Sequence, residues 1–118
     1  MLFRSSVVGI YAIKVMVDQN LAECARIRGA QLMNHFDDIK AEFPDKIKEN
    51  RGKGLLTAFE MHDSPHLDGH AVSVALLNKG VYAKETHHST VRVAPALTIE
   101  AWQIDNLAEA IREVIKSL

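Results

Sequence analysis

At 118 residues the chain has the length of one domain, 47% of its residues are hydrophobic, 25% are charged, and its net charge is −1. There is no basic excess of the kind that draws proteins onto nucleic acid or anionic membranes, so we expect neither partner. No apolar run approaches the ~20 residues that a membrane helix needs. The single cysteine, Cys24, excludes an internal disulfide and fits a reducing cytoplasm.

Residues 5–17 are predicted to form a helix whose apolar side chains surround most of its circumference. Such a helix needs other elements packed against several of its faces, and a domain of this size does not supply all of them. We therefore divide the single domain, residues 1–118, into a joining helix (1–18) and a compact part (19–118). The joining helix is expected to pack against a second copy of the chain, giving a homodimer, or against a separately encoded larger domain. Its apolar residues are Val7, Val8, Ile10, Tyr11, Ile13, Val15, Met16 and Val17.

A second helix is predicted from Asn20, which has the spacing of an N-cap with Glu23 as its reciprocal partner. It ends before Phe43-Pro44, because proline lacks a backbone donor and makes the preceding residue extended. Gly29 lies inside this helix and indicates the close approach of another element. The apolar stripe predicts a buried, unreactive thiol at Cys24; its other members are Leu21, Ala25, Arg28, Leu32, Phe36 and Ile39.

A strand, a tight glycine corner and a second strand are predicted next, over residues 46–50, 51–54 and 55–61. The corner contains Gly52 and Gly54. A lone Gly-x-Gly is weak evidence for phosphate binding, because strand residues and not a helix follow it. We expect a bend that needs a positive φ angle.

Three histidines, His62, His66 and His70, follow at intervals of four and would share one face of a helix, as metal ligands do. Pro65 and Gly69 interrupt any such helix. We therefore predict a polar loop here and no metal site.

A third helix is predicted over residues 69–79, with Asp68 as N-cap and Gly80 as the left-handed residue after its end. A strand starts at Val81, and a last amphipathic helix follows Thr98, its predicted N-cap, with Glu100 in the first turn. The order of elements predicts an α+β fold in two layers, with helices on one face of a small, largely antiparallel sheet. The core-facing residues of these two helices are predicted to be Val72, Leu76, Leu77, Ile104, Leu107, Ala108, Ile111, Val114, Ile115 and Leu118.

Arg92 stands between Val91 and Val93 in a β-type run. If the two valines face a core, the two-residue period of a strand turns Arg92 to the opposite face. There its planar guanidinium can bind a carboxylate through two hydrogen bonds. Alternatively, Arg92 simply lies on a solvated sheet face.

Three short blocks carry a family resemblance: Gly80-Val-Tyr-Ala-Lys-Glu-Thr-His87, Val91-Arg-Val-Ala-Pro95 and, upstream, Arg51-Gly-Lys-Gly-Leu-Leu56. They resemble the C-terminal domain of class III, fold-type I, pyridoxal-phosphate-dependent aminotransferases, and within that family the ornithine aminotransferases. The likeness runs from about Ser5 to the end of the chain but covers only the last quarter to third of such an enzyme.

The resemblance implies that Arg92 holds the α-carboxylate of the amino or oxo acid, and that Thr86 and His87 line the cleft beside it. It also implies that the Schiff-base lysine and the other pyridoxal phosphate contacts belong to a large domain upstream. We therefore expect a truncated or separately encoded C-terminal domain of an ornithine–oxo-acid transaminase that binds no cofactor and is inactive alone. Ala96 replaces a proline that is usual in the family, which makes the turn after Arg92 less rigid.

The residues suggest no catalytic group within the chain itself. Ser89, His87 and His88 are sequence neighbours, which rarely converge as a triad. The negative charge of Glu85 disfavours the neutral amine that Schiff-base chemistry at Lys84 would need. Lys14 and Lys53 are likewise not proposed as cofactor lysines. The alternative to an aminotransferase domain is a non-enzymatic α+β module for ligand binding or assembly.

Overall fold

The computed structural model describes residues 3–118. Within this range four helices and four strands form an α+β fold, as predicted. No helix in this range is long and apolar enough to cross a membrane. The elements are α1 (Arg4–Asp18), α2 (Leu21–Glu42), β1 (Ile47–Lys53), β2 (Leu56–Met61), α3 (Gly69–Asn78), β3 (Lys84–Thr86), β4 (Thr90–Val93) and α4 (Ala101–Ser117).

The four strands form one sheet in the order β1-β2-β4-β3, and every neighbouring pair is antiparallel. Side chains alternate across it as a two-residue period requires: Phe59 and Met61 are buried, whereas Leu56 is 63% exposed. The buried face lies against the helices. We call the other side, which carries Leu56, Ala58, Arg92 and Lys84, the open face.

The core lies between the sheet and the helices. Helices α2 and α3 contact the strands, and α4 packs on α2 and α3. The Phe36 ring meets the Phe59 ring edge to face, with centroids 5.6 Å apart, and so joins α2 to β2. Some residues of the predicted apolar stripes are not fully buried: Leu77 and Leu118 are exposed, and Cys24, Ala25, Arg28 and Leu107 are half-buried. The cluster consists of Leu32, Phe36, Ile39, Ile47, Leu55, Phe59, Met61, Leu67, Val72, Leu76, Val91, Val93, Ile104, Ile111, Val114 and Ile115.

Helix α1 has the predicted apolar circumference and contacts α2, but it contains no buried residue. Its large apolar side chains are between 41% (Met16) and 72% (Val17) exposed. The molecule is consequently elongated, with extents of 52 × 28 × 22 Å. The fold leaves this surface available to a partner.

Asn20 is the N-cap residue of α2, as predicted, but the capping hydrogen bonds predicted for it and Glu23 do not form. Asn20 adopts a left-handed conformation with φ 52°, and its side chain makes no capping hydrogen bond. An N-cap normally has extended backbone angles, whereas Asn20 is needed for the sharp turn that separates α2 from α1. Glu23, the predicted reciprocal partner, instead accepts a hydrogen bond of 2.8 Å from Arg26 Nε.

The predicted N-cap of α4, Thr98, is wrong, because the helix begins at Ala101 and Glu100 is its N-cap. Gln103 Oε1 accepts from the Glu100 backbone N–H at 2.9 Å, and the Glu100 side chain accepts from the Gln103 N–H in return. The two residues form a capping box with glutamate in place of the usual serine or threonine.

The hairpin between β1 and β2 turns later than the sequence indicates. Arg51, Gly52 and Lys53 belong to β1, and the chain turns at Gly54 and Leu55. Gly54 has the expected positive φ of 58°. This turn is the element that approaches Gly29: a methyl group added there would lie 2.8 Å from Gly54 Cα and closer still to its carbonyl group.

The end of α3 is as predicted. Gly80 has φ 82°, its N–H bonds to the Leu77 carbonyl at 2.9 Å, and the Val81 N–H bonds to the Leu76 carbonyl at 2.9 Å. These two bonds form a Schellman motif. The strand predicted from Val81, however, pairs only from Lys84 onward, so β3 has three residues.

Candidate functional site

Arg92 lies on the open face, as the alternation of β4 predicts. Val91 and Val93 are 0% and 4% exposed and point to the core, whereas Arg92 is exposed. Its Cα partners are Ala58 on β2 and Lys84 on β3. A small side chain therefore lies on one side of Arg92 and a second cation on the other.

The Arg92 guanidinium has neither a hydrogen bond nor an ion pair with any residue in the range 3–118. Other arginines of the chain are engaged: Arg51 contacts Glu60, and Arg112 contacts Glu42. A free guanidinium keeps its fork of N–H donors available for an external carboxylate or phosphate.

Thr86 is the last residue of β3 and pairs with Thr90 on β4. Because residues two positions apart in a strand share a face, Thr86 lies on the same side as Lys84 and one diagonal step from Arg92. His87 follows immediately as the first residue of the turn between β3 and β4. The three site residues predicted from the sequence therefore lie within one hairpin.

The turn His87-His88-Ser89 has an unusual backbone. His87 and His88 have φ angles of 50° and 67°, which is the left-handed region that side chains other than glycine seldom adopt. The Ser89 N–H bonds back to the His87 carbonyl at 2.7 Å. Left-handed histidines are not signalled by composition, so sequence reasoning missed this geometry.

Hydrogen bonds from two other elements fix this turn. The Gly69 N–H, at the start of α3, donates to the His88 carbonyl at 2.6 Å, and the Met61 N–H, at the end of β2, donates to the Ser89 carbonyl at 2.8 Å. A methyl group at Gly69 would lie 2.8 Å from the His88 oxygen. Gly69 therefore permits α3 to lie directly against the turn that carries His87.

We predict that His88→Gly leaves the free energy of unfolding unchanged within about 1 kcal/mol, since glycine relieves the left-handed strain but adds entropy to the unfolded chain. His88→Val is expected to cost about 1–2 kcal/mol, because a β-branched residue is strained at positive φ. Urea denaturation measures both. Valine tolerated better than glycine would contradict the left-handed assignment.

The spacing of His62, His66 and His70 does not place them on one helix. Helix α3 begins only at Gly69, so His62 and His66 precede it and do not share a helical face with His70. In residues 3–118 no group of three histidine, cysteine, aspartate or glutamate side chains is placed to hold a metal ion. His70 Nδ1 instead lies 3.2 Å from Glu85 Oε2 at the sheet edge.

Arg51 lies near the site, although the sequence marks it only as part of a glycine corner and of one block that carries the family resemblance. Its Nη1 lies 3.0 Å from Glu60 and 3.2 Å from Glu49. The hydrogen bond from Arg51 holds the pKa of the Glu60 carboxyl below its ordinary value. The same interaction raises the pKa of Arg51, so both groups stay charged at neutral pH.

Known proteins are similar to this chain in sequence and in fold. The mitochondrial ornithine aminotransferase of Arabidopsis thaliana is 33% identical over 115 residues, and the ornithine aminotransferase of Staphylococcus carnosus is 35% identical over 111 residues. These matches cover 95% and 93% of this chain and 24% and 26% of the relatives.

Solved structures of known proteins are also similar to this chain. Acetylornithine aminotransferase from Elizabethkingia anophelis superposes with a TM-score of 0.84 at 31% identity, covering 92% of this chain and 27% of that one. Ornithine aminotransferase from Toxoplasma gondii gives 0.84 at 30% identity, with 93% and 26% covered. The chain thus spans about a quarter of the length of these proteins. The family model for aminotransferase class III matches residues 5–115, and the chain belongs to that family.

Proposed function

We propose that this chain provides the carboxylate-recognition part of an ornithine-type aminotransferase, and that Arg92 makes the contact. The supporting observation is the unpaired guanidinium on the open face. A carboxylate presented to it can accept two parallel N–H···O bonds. Thr86 and His87 supply further polar groups beside it, on a hairpin held in place by the Gly69 and Met61 N–H groups.

The family uses pyridoxal phosphate, which accepts the amino group through a lysine-bound form. The residues of this chain do not fit that role. A lysine becomes a Schiff-base nucleophile when desolvation or a neighbouring cation disfavours its charge. Seven of the eight lysines are exposed, and this includes Lys84, where solvent screens the charge of Arg92 opposite it on β4. The exception, Lys46, is half-buried, and its Nζ donates to the Ile115 carbonyl at 2.8 Å. We therefore propose that the chain alone holds no cofactor and does not transaminate.

Adding pyridoxal phosphate and ornithine to the pure protein tests this part of the proposal. We expect no stoichiometric visible absorption band, no single lysine modified stoichiometrically after borohydride treatment and no turnover. A trapped lysine together with turnover would overturn it.

The test of carboxylate recognition is an NMR titration with butyrate, a simple monocarboxylate. The isolated chain is expected to bind with a dissociation constant in the millimolar range, because one charged two-point contact contributes only ~1.5–3 kcal/mol. Arg92→Ala is expected to weaken binding by about tenfold or more. Arg26→Ala, an exposed arginine on α2, is the matched control and should leave the titration unchanged. Equal affinity of the wild type and Arg92→Ala would point to an α+β module that binds or assembles without this site.

We further propose that α1 mediates association in the cytoplasm, either with a second copy or with a polypeptide that carries the remaining part of the fold. The apolar circumference of α1, which contains no buried residue, supports this proposal. A helix of this kind seldom stays bare in water.

For the pure protein we expect a dimer at micromolar concentration in sedimentation, since two-fold pairing is the commonest closed arrangement. Ile13→Lys should shift the species to a monomer, because it places a charge in the apolar surface. Leu77→Lys, at a similarly exposed apolar residue on α3, is the control and should not. A wild type that stays monomeric would contradict self-association.

A further inference from the structure

A groove of about 160 Å³ lies between helix α3 and the sheet edge formed by β3. We call it the edge groove. Three of its side chains, Val74, Leu77 and Tyr82, are large, apolar and exposed. The groove therefore offers apolar contact area that the core of the chain does not use. Its two walls carry Ser73, Val74 and Leu77 on α3, and Tyr82, Ala83 and Glu85 on the chain that enters β3.

Glu85 projects toward α3 and away from the open face. Its Cα partner on β4 is Val91, which is buried in the core. Residues directly opposite each other in antiparallel strands project from the same face, so Glu85 shares the helical side of the sheet with Val91. Lys84 precedes Glu85 and belongs to the open face. The edge groove consequently receives the negative charge of Glu85, while the Lys84 ammonium lies on the other side of the sheet.

Two buried oxygen atoms at the edge groove, Ser73 Oγ and Glu85 Oε2, accept no hydrogen bond from any residue in the range 3–118. His70 Nδ1 donates to the other carboxylate oxygen, Glu85 Oε1, at 3.3 Å. The same nitrogen lies 3.2 Å from Oε2, but its single N–H is directed to Oε1. A buried acceptor without a partner costs free energy, so both atoms favour a ligand that donates hydrogen bonds.

The size of the edge groove and its apolar wall select the class of donor. Its 160 Å³ is about five times the ~30 Å³ that one water molecule occupies in the liquid, so a single bridging water does not fill it. An alkyl ammonium group carries three N–H donors and no acceptor, which matches two unpartnered oxygens and a carboxylate charge. Its hydrocarbon part can cover the exposed apolar side chains.

We propose that the edge groove binds a small primary amine. The ammonium group donates to Glu85 Oε2 and to Ser73 Oγ, and the alkyl chain lies against Val74, Leu77 and Tyr82. His70 orients the Glu85 carboxylate through its other oxygen. This site is separate from Arg92, which lies on the opposite face of the sheet, and it does not depend on the proposed function.

An NMR titration of the full chain with butylammonium and with 1-butanol tests the proposal. The alcohol has the same hydrocarbon chain but no charge and one donor. We expect butylammonium to bind about tenfold more tightly, which is the magnitude of a hydrogen bond to a charged group. In Glu85→Gln this advantage should disappear. Glu109→Gln, at an exposed glutamate on α4, is the matched control and should keep the wild-type ratio.

Two further variants separate the polar and apolar contacts. Ser73→Ala should weaken butylammonium binding severalfold without lowering the free energy of unfolding, because the hydroxyl oxygen accepts no hydrogen bond that could be lost. Tyr82→Ala should weaken butylammonium and 1-butanol to the same extent, since its ring contacts only the hydrocarbon part.

Several results would overturn the inference. Equal affinities of the wild type for butylammonium and 1-butanol exclude recognition of the ammonium group. Tetramethylammonium has the charge but no N–H donor, so binding as tight as that of butylammonium excludes hydrogen bonding to the two oxygens. Affinity unchanged in Glu85→Gln, or chemical-shift changes confined to residues outside α3 and β3, places the amine elsewhere. A marked loss of stability in Ser73→Ala shows that the hydroxyl already has a partner in the folded chain.

Discussion

Gly29→Ala is expected to destabilise the protein by about 3 kcal/mol or more, a large fraction of the ~5–15 kcal/mol that holds a typical domain together. The added methyl group would collide with the backbone of Gly54, not with a side chain that can change rotamer. Relief therefore requires that α2 move away from the β1–β2 hairpin, which loosens the core around Leu32 and Leu55. Denaturant unfolding followed by circular dichroism measures the loss.

The chain provides a matched control in Gly9, which lies in α1 and has no neighbouring atom within 4 Å of the added methyl group. Gly9→Ala should be neutral or should stabilise α1 by up to about 1 kcal/mol, because alanine favours the helix. Similar effects of the two substitutions would show that α2 and the hairpin are not in backbone contact.

Phe36→Ala is expected to cost about 3–5 kcal/mol, because it removes a 2%-exposed ring from the centre of the core and leaves a cavity. The Phe59 ring loses its edge-to-face partner at the same time. If the alanine variant does not fold, Phe36→Leu should show a smaller, measurable loss by denaturant unfolding. Tyr82→Ala provides an aromatic control, since Tyr82 is 83% exposed and its removal should change stability by less than about 0.5 kcal/mol. Equal losses at Phe36 and Tyr82 would contradict the packing described.

The sequence predicts best those elements in which the apolar pattern repeats many times. Helices α2 and α4 extend over several turns with a recurring apolar stripe, and the alternation around Arg92 identifies its face correctly. The ends of elements are less predictable, because several residues satisfy the same local rule. Thr98 and Glu100 are both acceptable N-caps, and the choice depends on where α4 meets the rest of the core. Asn20 is the N-cap residue of α2 as predicted, but the left-handed backbone of the tight α1–α2 turn excludes the extended geometry in which its side chain would cap.

The site is predictable only in part, because its geometry depends on strand register. Sequence identifies Arg92 as unusual and places Thr86 and His87 near it. Nothing local to Arg51 reveals that β1 and β4 flank β2, so its position across Ala58 from Arg92 could not be recognised before the strand order was known. The left-handed histidines depend in the same way on bonds from Gly69 and Met61, which are distant in sequence.

The strand order also bears on how this protein behaves when concentrated. A sheet edge with unpaired backbone groups can recruit further strands and nucleate fibrils. Here the two edges are β1 and β3. The register of β1 is irregular between Ile47 and Glu49, where Lys48 is exposed, and β3 is only three residues long. Irregular, lysine-bearing or very short edges are poor templates for added strands. Open-ended growth through the sheet is therefore disfavoured, and we expect turbidity and thioflavin fluorescence to stay low as the protein is concentrated.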